Sequence, residues 1–102
     1  MKQRMTDGER REEAEAALCE ALLTLRDATE CRAFFRDLCT PAELEAMADR
    51  WQVVRLLEEQ RPYREIHDRT GVSVTTIGRV ARYLAEGNGG YRLALDRLEK
   101  TA

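Results

Sequence analysis

The stretch Pro62–Leu84 reads PYREIHDRTGVSVTTIGRVARYL, and it decides how the rest of the chain is understood. It predicts a short helix, a tight corner at Gly71 and a second helix. Ile66 and Val72 flank the corner, and Ile77 and Val80 follow at helical spacing. Pairing two short helices this way requires apolar residues on both inner faces and a corner residue tolerant of positive φ, the pattern of a helix-turn-helix. Ser73 is placed to cap the second helix. The motif spans about residues 62–85. His67 and Thr70 depart from its ideal form, which favours a small residue at the first position and an apolar one at the second. As the chain's one histidine, His67 invites a catalytic or pH-sensing reading; a partly exposed structural imidazole is the expectation.

The outer face of the second helix offers small and polar groups that fit a major groove: Ser73, Thr75, Thr76, Gly78, Arg79 and Arg82. Five arginines stand between Arg61 and Tyr83 (Arg61, Arg64, Arg69, Arg79, Arg82) against two acids, Glu65 and Asp68, a local excess of three positive charges. The whole chain carries a net charge of −2. Any DNA affinity must therefore come from local charge. Arginine's planar fork suits phosphates and guanine edges. The expected DNA-binding residues are Arg64, Ser73, Thr75, Thr76, Gly78, Arg79 and Arg82.

Working outward, Thr40-Pro41-Ala42-Glu43 is a helix start: Pro41 at the first helical position gives up no needed donor, and Thr40 and Glu43 have capping-box spacing. The helix it opens is expected to run to about Glu59, with Leu44, Met47, Ala48, Trp51, Val54 and Leu57 or their neighbours inward. Before it, Ala14, Ala17, Leu18, Ala21, Leu22 and Leu25 recur at three- and four-residue steps, predicting a helix over about Glu9–Arg26. Asp27 or Thr29 can cap another, about Ala28–Leu38. After the motif, Gly87-Asn88-Gly89-Gly90 breaks the helix, and Tyr91, Ala94, Leu95 and Leu98 mark a sixth. No strand-like alternation is present. The reading is an all-α chain: a flexible tail over residues 1–8 and one helical domain over 9–102.

With 102 residues, 43% of them hydrophobic, such a domain has a modest core that dimerisation can complete. The chain has no apolar run near membrane-spanning length and no signal-peptide core, so a cytoplasmic location without membrane attachment is expected. Cys19, Cys31 and Cys39 have neither CxxC spacing nor a histidine at metal spacing, and are expected as reduced, buried thiols. No metal or cofactor site, nucleophile motif or phosphate loop is seen, so no catalytic residue is assigned. The rival to DNA binding is a helical protein–protein interaction module whose second motif helix docks a partner protein.

Thr40-Pro41-x-Glu43 before a long helix, followed by REIHDRTGVSVTTIGRV, resembles the Trp repressor superfamily, and most closely its branch of TrpR-related YerC/YecD proteins. LCEALLTLRDATECRAFFRDLCTPAEL and YLAEGNGGYRLALDRL extend the similarity from about Leu18 to Leu98. The resemblance implies a six-helix fold, an intertwined homodimer and a transcriptional regulator that binds double-stranded DNA through two protruding helix-turn-helix units. In the dimer the first, second, third and last helices build a shared core. It also implies a comparison with the corepressor site of the tryptophan repressor, where two arginines grip the ligand beside the recognition helix. Thr40, Arg50 and Arg79 match members of that site. The glycine that leaves room for the indole is replaced by Val80 and a nearby serine by Tyr83. These bulkier side chains are expected to fill the space, so tryptophan is not expected as corepressor. The residues name no other small-molecule effector.

Overall fold

The computed structural model describes residues 5–101. Among them the chain forms six helices and no strand: α1 (Asp7–Leu23), α2 (Ala28–Leu38), α3 (Pro41–Glu58), α4 (Tyr63–Thr70), α5 (Val74–Glu86) and α6 (Gly90–Thr101). Two compact units result, with α1 and α2 in the first and α3 to α6 in the second.

In the first unit, local hydrogen bonds set the helix ends. Thr6 caps α1 by accepting from the Glu9 N–H at 3.1 Å. The helix therefore begins two residues before the expected start, and Asp7 and Gly8 are helical rather than part of a tail. Residues 1–4 of that expected tail lie outside the described residues. At the other end, the Thr24 N–H and hydroxyl both donate to the Ala21 carbonyl, at 3.1 and 2.7 Å. This closes α1 at Leu23 rather than Arg26. Asp27, not Thr29, caps α2: its carboxylate accepts from the Glu30 N–H at 2.9 Å, and the Glu30 carboxylate accepts from the Arg26 N–H at 2.8 Å. That exchange satisfies backbone donors the helix cannot.

No residue of α1 or α2 is buried. Leu23 is 85% exposed and Leu38 53%. Phe34 and Phe35, consecutive on α2, meet edge to face with centroids 5.9 Å apart. Cys19 is exposed and Cys31 and Cys39 are half-buried, none of the three in a disulfide among the described residues. The expectation of buried thiols is thus corrected, because the unit encloses no interior in which to bury them.

The core lies in the second unit. Val53, Val54, Leu56, Ile66, Ile77 and Val80 form it, with Trp51, Leu57, Val72, Leu84, Tyr91 and Leu95 packed around. On α3 the core comes from the C-terminal half; Met47 and Ala48, expected inward, are exposed. The motif residues Ile66, Ile77 and Val80 are inward as their spacing requires. The last turn of α3 closes as a Schellman motif: the Arg61 N–H donates to Leu56 O and the Gln60 N–H to Leu57 O, at 3.1 and 2.9 Å. Gln60 takes the left-handed conformation there, with φ 61°. Trp51 on α3 leans on Tyr91 of α6, ring centroids 6.3 Å apart.

Candidate nucleic-acid interface

α4 and α5 pack on each other and on α3, forming the helix-turn-helix. Gly71 ends α4 with φ 75°, and its N–H donates to the His67 carbonyl at 2.8 Å. A left-handed residue at this corner is disfavoured for any side chain with a Cβ, which is why glycine stands here. Ser73 starts α5 by accepting from the Thr76 N–H at 3.2 Å, while its own hydroxyl donates to Thr76 Oγ1 at 3.0 Å. Ile77 and Val80 bind α5 into the core, leaving the opposite face outward.

Six of the expected interface residues lie on α5 or at its cap. Ser73, Thr75, Arg79 and Arg82 are exposed, and Thr76 and Gly78 are half-buried. Arg64 is exposed on α4. The five arginines of the motif divide into two groups. Arg61 and Arg69 both reach Glu65, at 3.6 and 3.3 Å, and Arg61 also reaches Glu59 at 3.4 Å. Arg64, Arg79 and Arg82 make no ion pair among the described residues. The Arg79 guanidinium instead lies 5.5 Å from the centroid of the Tyr83 ring, in cation–π range. Spacing on the sequence could not separate these groups; the side-chain geometry around Glu65 does.

The two residues that depart from the ideal motif take part in its corner. His67 is exposed, as a structural imidazole was expected to be in part, and its Nδ1 lies 2.8 Å from the Val72 carbonyl oxygen. Thr70 donates to Ile66 O at 2.7 Å and accepts from the Val72 N–H at 3.1 Å.

Beside α5 an open cleft of about 630 Å³ is lined by Arg50, Thr76, Arg79, Val80, Tyr83 and Tyr91. It brings together Arg50 and Arg79, the two arginines matched to the corepressor site. Val80 and Tyr83 border this space but do not fill it, contrary to expectation. Val80 is turned into the core at 3% exposure, and Tyr83 lies against Arg79. No helix among the described residues is long and apolar enough to cross a membrane. Among the same residues no group of three or more His, Cys, Asp or Glu side chains is placed to hold a metal ion.

Six helices in this order, the fourth and fifth forming a helix-turn-helix, are the architecture of Trp-repressor-like proteins. The chain belongs to that family: the Trp repressor protein family matches residues 13–99. Within it the chain groups with the YerC/YecD branch. It is 45% identical over 84 residues to the uncharacterized protein YerC of Bacillus subtilis (strain 168), covering 82% of this chain and 81% of that protein. A TrpR-like protein from Eubacterium eligens ATCC 27750 has a similar crystal structure, with a TM-score of 0.81 and 40% identity over 85% of this chain and 90% of that one. A candidate Trp repressor from Staphylococcus aureus is similar at a TM-score of 0.82 and 38% identity, over 94% of this chain and 96% of that one.

Proposed function

We propose that the protein is a sequence-specific, DNA-binding transcriptional regulator that acts as a homodimer. The observation that carries the reading is the outward face of α5 and its flank. There Arg64, Arg79 and Arg82 are exposed and unpaired among the described residues, beside Ser73, Thr75, Thr76 and Gly78. Base edges are read by short polar groups and arginine forks at the start of a recognition helix. Phosphates are held by arginines not already neutralised by a carboxylate. Family membership supports the same reading.

Dimerisation is supported by apolar surface without cover. Leu23, Leu38, Leu93 and Leu98 are all at least half exposed, and no residue of α1, α2 or α6 is buried. A second copy that interleaves these helices removes that surface from water. Two α5 helices in one dimer then meet successive major grooves. A cytoplasmic location follows from such a role.

Tryptophan is not the corepressor in this reading. The Tyr83 ring already occupies one face of Arg79, one of the two arginines matched to the corepressor site. Calorimetry with L-tryptophan is expected to give no binding heat; micromolar affinity would contradict this.

The regulator reading is tested by fluorescence anisotropy with duplex DNA at rising salt. Affinity is expected to fall linearly on a log–log plot, with a shallower slope in Arg82→Ala. A protein that docks a protein partner through α5 would show no salt-dependent duplex affinity.

A further inference from the structure

The corner between α4 and α5 is held by more than Gly71. Two consecutive peptide groups of the turn are gripped by side chains of α4. The N–H of the Gly71–Val72 peptide donates to Thr70 Oγ1 at 3.1 Å, and Thr70 is itself anchored by donating to Ile66 O at 2.7 Å. The C=O of the Val72–Ser73 peptide accepts from His67 Nδ1 at 2.8 Å. Because a carbonyl can only accept, Nδ1 must carry the proton. The neutral Nδ1–H tautomer and the imidazolium both meet that need, so the contact does not depend on the charge of the ring.

Between these two peptide planes lie only the φ and ψ torsions of Val72. Those torsions set the direction in which the chain leaves α4, and Ser73, the next residue, is already the cap of α5. Fixing both planes to α4 therefore fixes where α5 points. We infer that His67 and Thr70 are positioning residues that clamp Val72 and so set the angle and depth at which α5 enters the DNA groove. This rests on the DNA-binding reading. It gives a joint purpose to the two residues that fit the ideal motif least well. A small residue in place of His67 and an apolar one in place of Thr70 would leave the two Val72 peptide groups without these partners. Base contacts depend on placement to a fraction of an ångström, whereas phosphate contacts through flexible arginines tolerate more. Loosening the clamp therefore costs discrimination before it costs general affinity.

The experiment compares full-length wild type with His67→Ala, His67→Asn, Thr70→Val and Thr70→Ser. Each is titrated with the duplex the wild type prefers and with a scrambled duplex, and each is melted in parallel. Asn keeps an amide donor near the position of Nδ1, and Ser keeps the hydroxyl. His67→Ala and Thr70→Val are expected to lose about fivefold in affinity for the preferred duplex, the value of one net hydrogen bond. Affinity for the scrambled duplex should stay within about twofold, and Asn and Ser should restore most of the preference. Equal losses on both duplexes, in step with the melting temperature, would overturn the clamp, as would unchanged preference in His67→Ala and Thr70→Val. A wild type that binds duplexes with no preference, or binds none, would overturn the regulator reading and the clamp's role with it.

Discussion

Arg92 of α6 grips Glu58 in the last turn of α3 through two hydrogen bonds of 2.6 and 2.9 Å, one from each terminal nitrogen of the guanidinium. The same guanidinium reaches Asp96 one turn along α6, at 3.4 Å. The hydrogen bond from Arg92 is the main cause that holds the Glu58 carboxyl below its ordinary value, with the guanidinium's charge adding to it. A carboxyl lowered in the folded state stabilises the fold above the ordinary carboxylate range, and that contribution is lost as pH falls through the folded value. Arg92→Gln is expected to lower the melting temperature near neutral pH. The difference from wild type should shrink in strong acid and in high salt. The effect is small, because the two side chains are 45% and 42% exposed. A difference that persists unchanged in acid would show that the pair contributes packing rather than charge.

Two left-handed residues end the helices that flank Arg61 and Pro62. Gly71 has φ 75° and Gln60 φ 61°. A Cβ at Gly71 would meet nothing within 4 Å, so any cost there is backbone strain alone. Gly71→Ala is expected to destabilise by about 1 kcal/mol and Gln60→Gly to stabilise by up to about 1 kcal/mol, read by urea unfolding.

These two corners show what the sequence reveals and what it hides. Gly71 and Ser73 announce themselves, because their chemistry is what a turn and a cap require. So does the inward set of Ile66, Ile77 and Val80. Gln60 gives no such signal, since its strain is accepted for the two hydrogen bonds that close α3. The exposure of Cys19 and of Ala48 could not be read either, because periodicity marks an apolar stripe without saying what covers it. Within the site, charge count identified the arginine-rich motif, but the reach of Glu65 and Glu59 determines which arginines carry an ion pair. His67 and Thr70 stood out as misfits; their shared hold on Val72 depends on side-chain reach across the turn, which spacing does not encode.

Gly78 separates stability from recognition. A Cβ there would meet nothing within 4 Å, and alanine favours a helix interior over glycine by about 1 kcal/mol. Gly78→Ala is expected to raise stability by that amount. If α5 lies in a groove at this position, the added methyl should also weaken duplex affinity by about tenfold, or about 1.4 kcal/mol. Chemical denaturation and anisotropy on the same preparation check both. A stabilised variant with unchanged affinity would move the contact face away from Gly78.

The homodimer makes a sharp demand on Leu23 and Leu98, which are 85% and 54% exposed in the single chain. At a truly exposed site, leucine to glutamate changes stability by no more than about 0.5 kcal/mol. In a shared core the same change buries a charge and costs about 2 kcal/mol or more. Leu23→Glu and Leu98→Glu are expected to melt early and to scatter light as single chains, while wild type has twice the mass of one chain. Single-chain mass for wild type at micromolar concentration would contradict the dimer.

Base reading by α5 is tested most directly by selection of bound sequences from random duplex DNA, run with wild type, Arg79→Ala and Thr76→Ala. Wild type is expected to enrich one motif, in two half-sites about one helical turn apart. Arg79→Ala and Thr76→Ala are expected to lose that preference at particular positions and retain weak general affinity. Wild type and both variants recovering the same unenriched pool would contradict base reading by α5.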